Sequence, residues 1–234
     1  MLRAPSRFAL APEDVRDGPN EIEVRILSGA GPLYVSGRAE FFSLEEPVPA
    51  RGSEVFVARQ YFKLVARPTL LKGFVYQRVP LQDGDSVASG ERVEVVLTAE
   101  AKNDLEYLVF EDLKPAGLEA VELQSGAGLQ AREIRSSEVA YRFGKGSPSD
   151  APRWDDPARF TGRARGLHTE WRDRKVALFA DKLAQGVWEM RYELRAEVPG
   201  QFHALPVMAS AMYVPEIKGN SSEIRLTVGE RRED

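Results

Sequence analysis

The chain has 234 residues, room for one large or two small domains, and its 43% hydrophobic and 29% charged residues are the balance of an ordinary globular protein. A formal net charge of -4 provides no bulk attraction to nucleic acid or to an anionic membrane, and no apolar run approaches the ~20 residues that a spanning helix needs. Cysteine is absent and the histidines are two, His168 and His203, so disulfides, thiolate nucleophiles and cysteine metal sites are excluded and no metal, cofactor or catalytic residue is expected.

The opening residues, MLRAPSRFALAPEDVRDG, lack the continuous apolar core of a signal peptide. Ile22, Val24 and Ile26 alternate with Glu21, Glu23 and Arg25 and read as a strand. The turn GAGP at 29–32 leads into a second strand, with Leu33, Val35, Ala39 and Phe41 on one face. A lone hairpin is marginally stable at best, so residues 1–50 are expected to be a partial β-module. The polar, Pro-rich stretch 45–53 marks a boundary, and residues 51–234 are expected to form the main domain.

Within that domain the spacing predicts strands at 55–65, 93–99, 107–113, 176–180, 187–198, 202–214 (interrupted by Pro206) and 224–228. Asp83-Gly84-Asp85 reads as a turn, and residues 118–123 as one short helical piece. The clearest alternation is at 187–198. Trp188, Met190, Tyr192, Leu194, Ala196 and Val198 face one way, and Glu189, Arg191, Glu193, Arg195 and Glu197 the other, which predicts one buried and one wet face. Seven or so short strands separated by turn signals predict an all-β fold, an antiparallel β-sandwich.

Residues 144–167 interrupt this spacing with many Gly, Pro and Ser. They are expected to be a long excursion, with Asp156 as a loop cap before Pro157. Arg153, Trp154 and Arg163 give it a basic and aromatic character suited to docking a partner, although Asp150, Asp155 and Asp156 dilute the charge and no nucleic-acid-binding pattern surrounds it. His203 is expected to be a partly buried or edge histidine of a strand. His168 stands near Glu170 and Asp173, a setting for a surface hydrogen bond rather than a dyad. Met212 and Tyr213, just before Pro215, place two large side chains where a connecting loop usually carries small polar ones.

Several blocks together resemble the C-terminal end of bacterial alpha-2-macroglobulins: EYLVFED at 106–112 with PAGL at 115–118, RDRKV at 172–176, RAEVPGQF at 195–202, and AMYVPEI at 211–217 with Gly219. GPLYVS at 31–36 is similar to the end of the CUB-like domain that precedes the last sandwich in that family. The resemblance implies a macroglobulin-like, receptor-binding-type β-sandwich over 51–234, after a partial CUB-like module over 1–50. It implies a non-enzymatic part of a protease inhibitor, located in the periplasm or cell envelope within an exported parent. Met212, Tyr213 and Pro215 would form a loop shielding the thioester of a neighbouring domain. The partners would be that domain and, indirectly, a protease, with no nucleic acid and no direct membrane insertion. The family's Cys-Glu-Gln thioester motif is excluded here by the missing cysteine. The length leaves no room for a bait region, so the chain is expected to be a C-terminal piece of such a protein or a freestanding relative. An adhesion-type sandwich of the cell envelope is the competing expectation.

Overall fold

The stretches that alternate apolar and polar residues fold as strands, and several that do not alternate join them through backbone pairing. The structure, a computed structural model, describes residues 10–16, 19–23, 25, 27, 46–70, 73–122, 124–135 and 156–230. Its contacts divide the chain into two units, Met1–Ser43 and Leu44–Asp234. In the first unit a 3-10 turn spans Pro12–Asp14, and the backbone N–H of Arg16 donates to Asn20 Oδ1 at 2.9 Å. Residues 21–23, 25 and 27 are exposed and carry no strand. The rest of the hairpin expected at 22–41 lies outside the described residues.

The second unit is antiparallel β throughout apart from one strand pair. Its strands are β1 (Arg51–Gly52), β2 (Val55–Thr69), β3 (Gly73–Leu81), β4 (Ser86–Ala88), β5 (Arg92–Ala101), β6 (Leu105–Asp112), β7 (Leu118–Ala120) and β8 (Gly126–Ile134). After a 3-10 turn at Pro157–Arg159 come β9 (Phe160–Trp171), β10 (Val176–Leu183), β11 (Gly186–Ala196), β12 (Gly200–Ala204), β13 (Met208–Ala211), β14 (Val214–Asn220) and β15 (Ile224–Gly229). One large sheet has the order β1-β14-β13-β6-β10-β9-β8-β11-β5-β2-β3, with β7 also on β11. A small sheet, β12-β15-β4, holds the parallel pair, β15 with β4.

The large sheet curls until β1 and β14, at one end of its order, meet the start of β2. A Cβ added to Gly52 or to Gly219 would lie 2.3 Å from the carbonyl oxygen of Val55, so β1 and β14 can approach the start of β2 this closely because glycine stands at both points. The curl turns the inward rows of β2, β5 and β11 toward those of β6 and β10. Val93, Val95, Leu97, Trp188, Met190, Leu194, Leu108, Phe110 and Leu178 are fully buried between them, and the small sheet contributes Leu226 and Val228. The fold is the expected antiparallel β-sandwich.

β11 is central, paired with β5 on one side and with β7 and β8 on the other. Its inward row is as expected up to Ala196, but Val198 lies beyond the strand and is exposed. The opposite row is not uniformly wet: Glu189 is 2% exposed and accepts from Arg159 at 2.7 Å, both side chains being closed to solvent. Residues 118–120 form a strand, not a helix, because Leu118 and Ala120 pair with Ala196 and Leu194. The second half of the expected excursion is β9, whose small and basic residues follow no apolar period; pairing with β8 and β10 holds it extended. Asp156 does cap the preceding turn, accepting from Ala158 N at 2.8 Å. Asp83-Gly84-Asp85 is the expected turn, with Gly84 at φ +85 and Asp85 accepting from Gln82 N at 2.7 Å.

Candidate functional site: an apolar lip at the tip of a hairpin

β13 and β14 form a hairpin whose turn is Met212-Tyr213. Its register runs Met208 to Asn220, Ala209 to Gly219, Ser210 to Lys218 and then Ala211 to Val214. Residues 215–217 are therefore extra on β14, and the hairpin is irregular just below its tip. Pro215 falls in this stretch, where its missing N–H breaks no pairing with β13. Met212 and Tyr213 alone form the turn, and the residues that follow, Val214–Asn220, are strand rather than connecting loop.

The tip is apolar and open to water. Met212 is 51% exposed, Tyr213 74% and Val214 44%. It is also braced from behind. Met212 N donates to the carbonyl of Tyr107 at 2.8 Å, and the rings of Tyr107 and Tyr213 meet edge to face at 5.1 Å. Tyr107 is itself half exposed and is held at φ +53, the left-handed region that a bulky side chain seldom adopts. Sequence reasoning missed Tyr107. It lies in an apparently regular strand, and nothing in its neighbours signals the backbone reversal or the contact with a residue 106 positions away.

Of the three residues of the expected basic docking loop, Arg163 alone is among the described residues. Arg153 and Trp154 lie outside the described residues. Arg163 is inside β9, donates to Glu133 at 2.8 Å and lies over the Trp188 ring at 5.5 Å. His203 is in β12, at the edge of the small sheet, and His168 is an exposed β9 residue tilted against Phe179. Among the described residues no three of His, Cys, Asp or Glu converge as metal ligands would.

The interior holds a second unusual cluster. Arg59 donates to Asp112 and, at 2.7 Å, to the carbonyl of Ala204; Tyr192 donates its hydroxyl to the other oxygen of Asp112. Tyr61 lies beside the guanidinium, 5.1 Å from ring centre to carbon. Arg59 and Asp112 side chains are each 1% exposed. Burial opposes the Arg59 charge, but Asp112 and the phenols beside it hold its pKa above the ordinary value. Burial, reinforced by Asp112, pushes both phenols up. The cluster ties β2, β6, β11 and β12 together, and no member of it is open to a substrate.

The geometry matches known proteins. The bacterial alpha-2-macroglobulin MG10 domain family matches residues 55–216, from the first residue of β2 into the lip hairpin. An alpha-2-macroglobulin homolog from Nostoc sp. is 27% identical over 207 residues, covering 87% of this chain and 9% of the relative, so the chain spans about a tenth of that protein's length. The native conformation of Escherichia coli alpha-2-macroglobulin superimposes with a TM-score of 0.50 at 20% identity, covering 80% of this chain and 10% of that one. The same protein activated by porcine elastase gives 0.51 at 19% identity, covering 79% and 14%. At these identities the structural likeness establishes the fold. The family match extends over most of the chain, and this protein belongs to the bacterial alpha-2-macroglobulin MG10 domain family.

Proposed function

We propose that this chain is a non-catalytic docking module of an alpha-2-macroglobulin-like protease inhibitor. Its lip of Met212, Tyr213 and Val214, shaped by Pro215, closes over a thioester carried by another domain of a larger polypeptide in the cell envelope. It lets go when a protease cuts elsewhere in that polypeptide. One observation carries this reading: the Met212 and Tyr213 side chains stand largely in water at a tip that Tyr107 braces from behind.

The chemistry requires such a cover. In a thioester an amine nitrogen or water oxygen attacks the acyl carbon, the carbon–sulfur bond breaks, and the departing sulfur takes up a proton as a thiol. Excluding both nucleophiles preserves the bond. A thioether adapts to an irregular surface, while a phenol offers a rigid face with a polar end. The acyl donor belongs to the partner domain, since this chain has no cysteine.

The test is thiol release from the intact parent protein in methylamine. Tyr213→Ala and Met212→Ala should each speed release, while the urea midpoint of the isolated domain stays at the wild-type value. Release at the wild-type rate in both variants would leave these side chains as the end of a hairpin and nothing more.

A further inference from the structure

The β2–β3 hairpin is a second exposed apolar element, and among the described strands β3 is an unpaired sheet edge. β3 pairs with β2 from Tyr61–Leu81 out to Thr69–Gly73, and it ends the order of the large sheet. Beyond residue 65 both strands are exposed. Phe74 and Tyr76 share one face with Pro68 and Ala66, opposite them in register; Val75 and Val79 share the other with Arg67 and Lys63. Leu70 at the tip is fully exposed, Phe74 is 70% exposed, and Val75, Tyr76 and Val79 are each about two-fifths exposed. An arm that is apolar on both faces and unpaired along one edge is a liability in water, and folded proteins usually blunt such edges with charge or cover.

Charge selects the cover. Residues 55–82 contain Arg59, Lys63, Arg67, Lys72 and Arg78 and no Asp or Glu, in a chain of net charge -4. Lys63 pairs with Glu91, in the turn before β5, at 2.7 Å, and Arg78 with Glu94, on β5, at 2.6 Å. The bond of Arg67 goes to a neutral acceptor, Gln77 Oε1 at 3.1 Å, on the exposed arm. A second copy of the chain added edge to edge would bring another arm without carboxylates and leave Arg67 unmatched. A lipid surface would receive the apolar tip but could not satisfy the N–H and C=O groups of the β3 edge. An extended polypeptide carrying carboxylates satisfies all three features: edge, apolar faces and charge.

We propose that β3 is a docking edge to which an extended, acidic protein segment adds as a further strand. Pro80 has no N–H, so the ladder runs along Gly73 to Val79. This surface is independent of the lip and stands or falls apart from it.

The probe is a blocked peptide as long as β3 that alternates Glu with Val, with the Lys–Val peptide as control. The full chain is followed by amide hydrogen exchange, with and without peptide. Binding of the acidic peptide should slow exchange in residues 73–79, and raising the salt should weaken it. Arg67→Glu and Val75→Glu, both on the exposed arm, should each weaken binding about tenfold with an unchanged urea midpoint. The proposal fails if neither peptide binds, if both bind alike, or if protection falls outside β3. It fails equally if β3 amides slow with protein concentration alone, which assigns the edge to a second copy. Phosphatidylglycerol vesicles that protect the arm when the acidic peptide does not would assign it to lipid.

Discussion

The molecule departs from the apolar-inside rule in two opposite ways. In the interior, a guanidinium, a carboxylate and two phenols are shut away from water around Arg59 and Asp112. At the rim, Met212, Tyr213 and Val214 on one hairpin, and Leu70, Phe74 and Tyr76 on another, are placed in water. Most of the interior exception is answered within the chain: Asp112 meets both Arg59 and Tyr192, and Arg59 also reaches the Ala204 carbonyl, while the Tyr61 hydroxyl and Arg59 Nε make no hydrogen bond. The rim exceptions stay exposed, and at the lip Tyr107 braces them from behind. A buried polar group with partners is a feature of the fold, whereas an exposed apolar group with a brace and no cover is a feature of binding.

The comparison breaks first if the interior cluster is dispensable. Asp112→Ala strands the Arg59 charge and should cost about 3–5 kcal/mol in a urea titration; a change below about 1 kcal/mol would mean that the cluster is not closed to water. Next in size, Leu194→Ala on the inward row of β11 should cost about 2–5 kcal/mol, while Glu193→Ala on the other face should stay within about 0.5 kcal/mol of wild type. Equal effects would overturn the register of β11 against β5.

Alkali sharpens the same contrast. Burial raises the pKa of Tyr61 and Tyr192 in the folded chain, so the unfolded chain loses these protons first. Their contribution to stability is complete below the unfolded value of about 10 and is lost as pH rises above it toward the folded values. The slope is about 1.4 kcal/mol per pH unit for each phenol. Tyr192→Phe should remove one such slope from the unfolding free energy above about pH 10. The smallest effect is at the brace. Tyr107→Gly should be about 1 kcal/mol more stable than Tyr107→Ala, because glycine alone escapes the left-handed strain. The reverse ranking would show that position 107 is not held there.

Alternation made the centre of the domain legible. Residues 93–99 and 188–196 declare their inward rows because apolar residues recur at every second position, even though Glu94 and Thr98 on the other face of β5 are buried as well. The period failed where the apolar residues do not keep to one face. β9 is mostly exposed, so FTGRARGLHTEW shows no apolar row and read as loop. β3 is apolar on both faces and was passed over. Glu189 looked wet by its type, but its partner Arg159 arrives from thirty residues upstream across a segment with no pattern. Of the lip, Met212, Tyr213 and Pro215 stood out by size and by position before proline. Tyr107 could not, since its role comes from a contact with Tyr213 made only in the folded sheet.

The glycine-lined closure of the large sheet has a mechanical consequence. The foot of the lip hairpin is laced to the chain that enters the domain: Arg51 and Gly52 pair with Asn220 and Gly219, the Asn220 amide donates to the Pro49 carbonyl at 2.9 Å, and Glu223 N donates to Val48 O at 3.3 Å. From that foot to the lip runs β14 itself, roughly 20–25 Å of strand. A pull on the entering chain near residue 48 therefore falls first on the foot of β14, and Ile217 anchors that strand to the core between foot and lip.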